Sequence, residues 1–168
     1  MPQLHISQSG QGTPLLLLHG WGFDSQIWSS LLPQLEQHYL IYCVDLPGFG
    51  KTPALSWSEF KNQLLDYLPL TFSLAGWSMG GLIATRLALE NPERITRLIN
   101  IASSPCFVID PNTAWPGVQA HNLQLFYNNL LSNPEETHQA FVKLQLGSRT
   151  QVNSTSAHIT HIPDNYKH

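Results

Sequence analysis

One pentapeptide, Gly76-Trp77-Ser78-Met79-Gly80, constrains this chain more than any other stretch. It follows the apolar run Thr71-Phe72-Ser73-Leu74-Ala75 and leads directly into Gly81-Leu82-Ile83-Ala84-Thr85-Arg86-Leu87-Ala88-Leu89, which reads as a helix. A strand that turns sharply into a helix, with a serine at the apex, holds that serine in a strained backbone with its hydroxyl exposed. Such a turn needs small neighbours, because strand and helix pass within backbone contact. Gly76 and Gly80 meet that need, and Gly81 adds slack at the helix start. The first helical turn would aim its N–H groups at negative charge developing beside the serine. Ser78 is the candidate nucleophile.

Two further strand ends support this reading. Leu15-Leu16-Leu17-Leu18 is a buried-strand run that breaks into the glycine-rich turn His19-Gly20-Trp21-Gly22. Ile41-Tyr42-Cys43-Val44 breaks into Asp45-Leu46-Pro47-Gly48-Phe49-Gly50, a Pro/Gly turn. Between them, 25–37 reads as a helix with Ile27, Trp28, Leu31, Leu32 and Leu35 on one face. Gln3 to Ser7 is expected as a short edge strand. Ser56, with Glu59 three residues on, forms a capping box for a helix that buries Phe60, Leu64, Leu65 and Leu68. Strand 95–101 closes an alternating series, which implies parallel strands joined by helical crossovers. The expected fold is α/β: a mostly parallel sheet with helices on both faces, resembling the α/β hydrolases. In that architecture the His19–Gly22 turn lies beside the serine. The N–H groups of Trp21 and Met79 would together receive an oxyanion.

After Ser104 the rhythm changes. Pro105, Pro111 and Pro116 punctuate a strandless stretch, and helical patterns follow at 119–131 and 134–146, the second with Pro134 at its first position. They are expected to form a helical lid (105–146) on a core sheet (1–104) within a single domain. A narrower resemblance rests on His19-Gly20-Trp21-Gly22, the Asp45–Gly50 turn, Gly76–Gly80, Ala102-Ser103-Ser104-Pro105-Cys106-Phe107, Trp115-Pro116-Gly117 and Phe141–Gln145. With these the chain, over roughly residues 10 to 146, resembles the pimeloyl-[acyl-carrier protein] methyl ester esterases of bacterial biotin synthesis. The resemblance implies Ser78 as nucleophile, with Trp21 and Met79 at the acyl group and its oxyanion. Phe141, Val142, Lys143, Leu144 and Gln145 would lie on a substrate-binding lid. The implied partner is an acyl-carrier protein bearing a methyl-esterified acyl chain, with no cofactor or metal. Without the resemblance, Phe141 and Leu144 would be helix core residues only. Glu135 and Glu136 depart from it, since a carrier of acidic character calls for basic residues there.

From Gly147 the family-like pattern stops, and 147–168 reads as a polar tail unrelated to it. The expectation is a truncated or frameshifted chain that lacks the last strands and the aspartate and histidine of the triad, and so is inactive. His158, His161, Asp164 and His168 could be assembled into a triad or a metal site. A polar tail gives a general base no packed support, and Pro163 interrupts the helical spacing. The alternatives are a general carboxylesterase, a prolyl aminopeptidase-like hydrolase, or a non-catalytic remnant that binds acyl ligands or a partner. A haloalkane dehalogenase is disfavoured, because its elbow carries aspartate where Ser78 stands.

Composition narrows the rest. A net charge of −3 with only 11% charged residues offers no basic face for nucleic acid. No run reaches the length of a membrane span, and the start has no signal-peptide pattern. Cys43 and Cys106 are expected as free thiols in a cytoplasmic, monomeric protein. The sequon at Asn153 has no meaning without secretion. His19 is expected to hold its turn and Asp45 to tie down its own loop, neither with a chemical role. Gly50-Lys51-Thr52 lacks the earlier glycine of a phosphate-binding loop, where Asp45 stands.

Overall fold

The computed structural model describes residues 3–146. The tail 147–168, with His158, His161, Asp164, His168 and the sequon, lies outside the described residues, as do the first two positions. Five strands form one sheet: β1 (Ile6–Gly10), β2 (Thr13–Leu18), β3 (Tyr39–Val44), β4 (Phe72–Trp77) and β5 (Ile95–Ile101), in the order β1-β3-β2-β4-β5. β2 runs parallel to both β3 and β4, and β4 parallel to β5; only β1 is antiparallel, against β3. The expected edge strand therefore exists but starts later, at Ile6. The polar residues Ser7, Gln8 and Ser9 belong to it because one side of an edge strand faces water.

Helices cover both faces. On one, α2 (Trp57–Tyr67) and α3 (Met79–Glu90) press Phe60, Leu64, Ala84 and Leu87 onto Leu16, Leu18, Val44 and Leu74 of the sheet. On the other, Trp28, Leu32 and Leu35 cover Leu15, Leu17, Ile41 and Ala75. The capping box of α2 is present: Ser56 Oγ accepts from the Glu59 N–H, and the Glu59 carboxylate from the Ser56 N–H. Its other end is closed by Arg94, whose guanidinium donates to the carbonyls of Leu65, Pro69 and Leu70. The helix expected over 25–37 does not form as one piece. It splits into a 3-10 turn (Ser25–Trp28) and one short helix, α1 (Leu32–Leu35), with Pro33 in its first turn. Proline has no N–H to give Ser29, and its ring would meet that carbonyl in a continuous helix. Ile27 and Leu31, expected on the buried face, are consequently exposed.

Beyond β5, residues 105–118 hold only isolated bridges, Val108 to Val118 and Asp110 to Trp115. Then α4 (Ala120–Ser132) and α5 (Pro134–Leu146) follow as a hairpin, turned at Asn133. Among the described residues no helix is long and apolar enough to cross a membrane.

Candidate active site

Ser78 stands between β4 and α3 at φ 53°, ψ −119°, where an L-residue is strained by about 1–3 kcal/mol. Hydrogen bonds to its own N–H and carbonyl hold it there. Its N–H donates to the Ile101 carbonyl at the end of β5 (2.9 Å). Its carbonyl accepts from the Gly81 N–H (3.0 Å) and from Ser103 Oγ (2.7 Å). Ser103 reaches it because Ala102 itself sits at φ 46°, turning the chain back as β5 ends. Ser103 and Ala102 escape a reading from motif spacing, although the Ala102-Ser103-Ser104 run that carries them was visible as a family feature. The glycines do what their spacing implies. A Cβ on Gly76 would collide with the Gly80 backbone, and one on Gly80 with the carbonyls of Leu18 and His19. A Cβ on Gly81 would strike Ser103 at 2.5 Å. The serine side chain makes no capping bond to α3.

The turn after β2 lies against this elbow: a Cβ on Gly20 would come within 3.3 Å of the Ser78 Cβ. His19 organises the turn from inside the protein, with 0% of its surface exposed. Its Nε2 accepts from the Leu46 N–H at 2.9 Å, so the proton resides on Nδ1, which donates to the Gly20 carbonyl at 2.8 Å. Burial lowers its pKa, against the raising influence of the Gly20 bond and of Asp45, so the ring stays neutral. The peptide unit is planar and trans, so fixing the Gly20 carbonyl also fixes the Trp21 N–H on the opposite side. His19 is thus a turn-holding residue, as expected.

Asp45 does for the next turn what His19 does for this one. Its carboxylate accepts from the Ser25 and Lys51 N–H groups, both at 2.9 Å. Burial raises its pKa, but the hydrogen bonds from Ser25 and Lys51 together outweigh that and leave it below the usual carboxylate range. Gly50, at φ 53°, leaves room for it; a Cβ there would collide with Asp45 Oδ2. Cys43 is a buried thiol, its pKa pushed up to about 12 by burial and the nearby carboxylates of Asp45 and Glu36, and has no nucleophilic character.

Trp21 projects into an aromatic box. Its ring meets Phe141 at 4.9 Å, Phe126 at 5.0 Å, His138 at 6.1 Å and Phe49 at 6.4 Å, all edge to face. Phe141 is therefore beside Trp21, and Val142, also on α5, is buried. Lys143, Leu144 and Gln145 are exposed. Leu144 lines, with Phe126, Asn133, Thr137, Ala140 and Phe141, an open groove of about 480 Å³ between α4 and α5. Met79 is half-buried at the start of α3, its side chain against the α2–α3 face of the core. His138 escaped the sequence reading, since nothing in its spacing separates it from a solvated helix residue.

Comparison with known proteins places this geometry in context. A model of the alpha/beta hydrolase fold matches residues 13–153. A pimeloyl-[acyl-carrier protein] methyl ester esterase of Legionella pneumophila (strain Corby) is 55% identical over 143 residues, covering 85% of this chain and 59% of the relative. One from Shewanella sp. (strain MR-7) is 43% identical over 152 residues, covering 89% of this chain and 57% of the relative. The chain thus spans 59% of the length of the Legionella protein. Among solved structures, an esterase from Exiguobacterium antarcticum superposes with a TM-score of 0.73 at 22% identity, over 84% of this chain and 60% of that one. A putative epoxide hydrolase from Pseudomonas aeruginosa gives 0.71 at 23%, over 88% and 57%. At such identities these two share the fold alone.

Proposed function

The chain belongs to the alpha/beta hydrolase fold family, and we propose that it carries the nucleophile and oxyanion site of a carboxylesterase that hydrolyses the methyl ester of a pimeloyl group on an acyl-carrier protein. The observation that carries this reading is the strained, hydrogen-bonded backbone of Ser78 beside a turn whose peptide is fixed by His19. Ser78 Oγ attacks the ester carbonyl; the N–H groups of Trp21 and Met79 take the oxyanion; methanol leaves, and water then releases the free carboxylate. Trp21 and Phe141 line the acyl site, and α4 and α5 act as its lid. The Legionella and Shewanella relatives, both pimeloyl-[acyl-carrier protein] methyl ester esterases, support the substrate and, with it, the carrier partner. Free Cys43 and Cys106 suit a reducing, cytoplasmic setting.

The base is the open element. Of the two histidines near the site, His19 has both ring nitrogens engaged with backbone, and His138 Nε2 is bound to the Gly22 carbonyl. Neither is free to deprotonate Ser78 from that nitrogen. A serine without a base keeps only roughly 10³–10⁴-fold acceleration over water in serine proteases, from the oxyanion hole and binding. Among the described residues neither of these histidines serves Ser78 as a base, and the chain is expected to be inactive by ordinary assay. The test is a fluorophosphonate probe, followed by hydrolysis of a pimeloyl methyl ester thioester, on this chain and on S78A. The expected outcome is weak labelling at Ser78, lost in S78A, with hydrolysis at the limit of detection. Turnover at an ordinary enzyme rate would sink the claim of inactivity. Hydrolysis that survives in S78A would sink the assignment of the nucleophile. Total absence of labelling on folded protein would favour a non-catalytic acyl-binding role.

A further inference from the structure

His138 enters no step of the reaction above, yet it is only 6% exposed. Its Nε2 lies 2.5 Å from the carbonyl oxygen of Gly22, 116 residues away in sequence. A carbonyl can only accept, so the proton is on Nε2 and the imidazole is the donor. Gly22 is at φ 80°, and a Cβ there would come within 2.9 Å of the His138 ring, so glycine is what lets the imidazole close on the backbone. Trp21 is met by the same ring and, one helical turn further along α5, by Phe141. The opposite end of the loop, Gly20, abuts Ser78 and is held by His19. The two carbonyls that flank Trp21 are therefore each held by an imidazole, one from the sheet and one from α5.

The two grips differ in kind. His19 is part of the loop's own strand end, so its hold is local. His138 comes from a helix whose other residues are largely exposed, and whose anchors are few: Val142, Phe141 and this bond. An aromatic contact sets a distance but no orientation, whereas the bond to the Gly22 carbonyl orients the Gly22–Phe23 peptide, whose N–H donates in turn to the Gly20 carbonyl (3.4 Å). We infer that His138 is a positioning residue: its bond to the Gly22 carbonyl ties the seating of α5 to the geometry of the loop that carries the Trp21 N–H beside Ser78. The catalytic value of this coupling rests on the reading of Trp21 given above; the coupling itself is a property of the folded chain.

Hydrogen exchange of the intact chain, read by mass spectrometry on peptides covering Gly20–Phe23 and on peptides from β2 and β4, tests it without substrate. H138F keeps a ring against Trp21 and removes the donor. Its loop amides are expected to exchange about tenfold faster, with β2 and β4 unchanged. H138Q, whose amide can donate to the carbonyl, is expected to restore most of the protection. Unchanged loop exchange in H138F overturns the inference, and so does equal loss in H138F and H138Q, which would leave only ring shape at work. Should H138F lose protection everywhere, nitrogen-15 shifts of the histidines in the unaltered chain decide: a His138 proton on Nε2 supports the bond, and one on Nδ1 overturns it. Failure of Ser78 labelling would not touch any of these outcomes.

Discussion

β3 and β5 are written in the same alphabet and end in opposite surroundings. Tyr39–Val44 and Ile95–Ile101 are both short strands rich in isoleucine, leucine or valine. β3 has a strand on each edge and its last four residues are buried. β5 pairs only with β4 among the described residues, and Ile99 remains 47% exposed, with Leu98 and Ile101 close behind. The difference lies in the neighbours, since burial is a property of what a strand is packed against. It also has a consequence for the site. β5 contributes backbone rather than core: its last carbonyl holds the Ser78 N–H, and the turn after it supplies Ser103. The edge strand is thus structurally thin and geometrically important.

The sharpest way to break this contrast is to cut equal side chains from centre and edge. Leu16, fully buried in the middle of β2, faces α2 and α3. L16A is expected to cost about 3–4 kcal/mol of unfolding free energy, through lost transfer energy and the cavity left behind. L98A, on the exposed edge, is expected to cost less than about 1 kcal/mol. Urea denaturation measures both. A large cost for L98A would mean that β5 is covered in solution, and the contrast would fail.

The strand-to-helix turn around Ser78 is legible in the sequence for a physical reason. A nucleophile turn is built from close backbone approaches, and only glycine permits those, so Gly76, Gly80 and Gly20 print the geometry into the sequence. The apolar runs of β2 and β3 likewise announce strands buried on both faces. What escaped depends on partners distant in sequence. The 25–37 segment has helical spacing throughout, and only the missing N–H of Pro33 breaks it. Ser103 and His138 act through single hydrogen bonds to carbonyls, 25 and 116 residues away, and neither bond leaves a pattern in composition or period. The exposure of β5 was invisible for the same reason: its sequence reports strand propensity and says nothing of which edge is occupied.

The buried imidazole at the end of β2 gives the next effect in size. H19A removes the acceptor of the Leu46 N–H and the donor to the Gly20 carbonyl, and leaves a small void. The expected loss is about 2–3 kcal/mol. Its pH dependence follows from its lowered pKa. The unfolded chain takes up this proton near 6.5 while the folded chain resists it, so the unfolded state binds more protons and stability falls as pH drops below 6.5. Asp45 acts in a lower window. Its depressed pKa gives stability that is present above the ordinary value of 3.8 and is lost as pH falls through the folded value. Thermal melts of the unaltered chain between pH 7.5 and 5 should therefore decline, and H19Q should flatten that part of the profile while keeping the acid loss due to Asp45. A profile unchanged by H19Q would show that the ring is not held neutral by burial.

The smallest change in stability is expected at the edge itself. I99K puts a charge on a half-exposed position of a strand that, among the described residues, pairs on one side only. Little is buried there to lose, so unfolding should shift by no more than about 0.5 kcal/mol. Association is another matter. A strand that exposes Leu98, Ile99 and Ile101 beside a row of N–H and C=O groups unpaired among the described residues is a template for a second copy, and lysine on such an edge opposes pairing through repulsion and hydration. Sedimentation of the unaltered chain over a range of concentrations should show self-association that I99K reduces, while L98A, which adds no charge, leaves more of it. If I99K instead destabilises the monomer by several times the expected amount, Ile99 is packed in solution. β5 would then be a covered strand like β3, and the carbonyl that holds Ser78 would be anchored by more than the single pairing with β4.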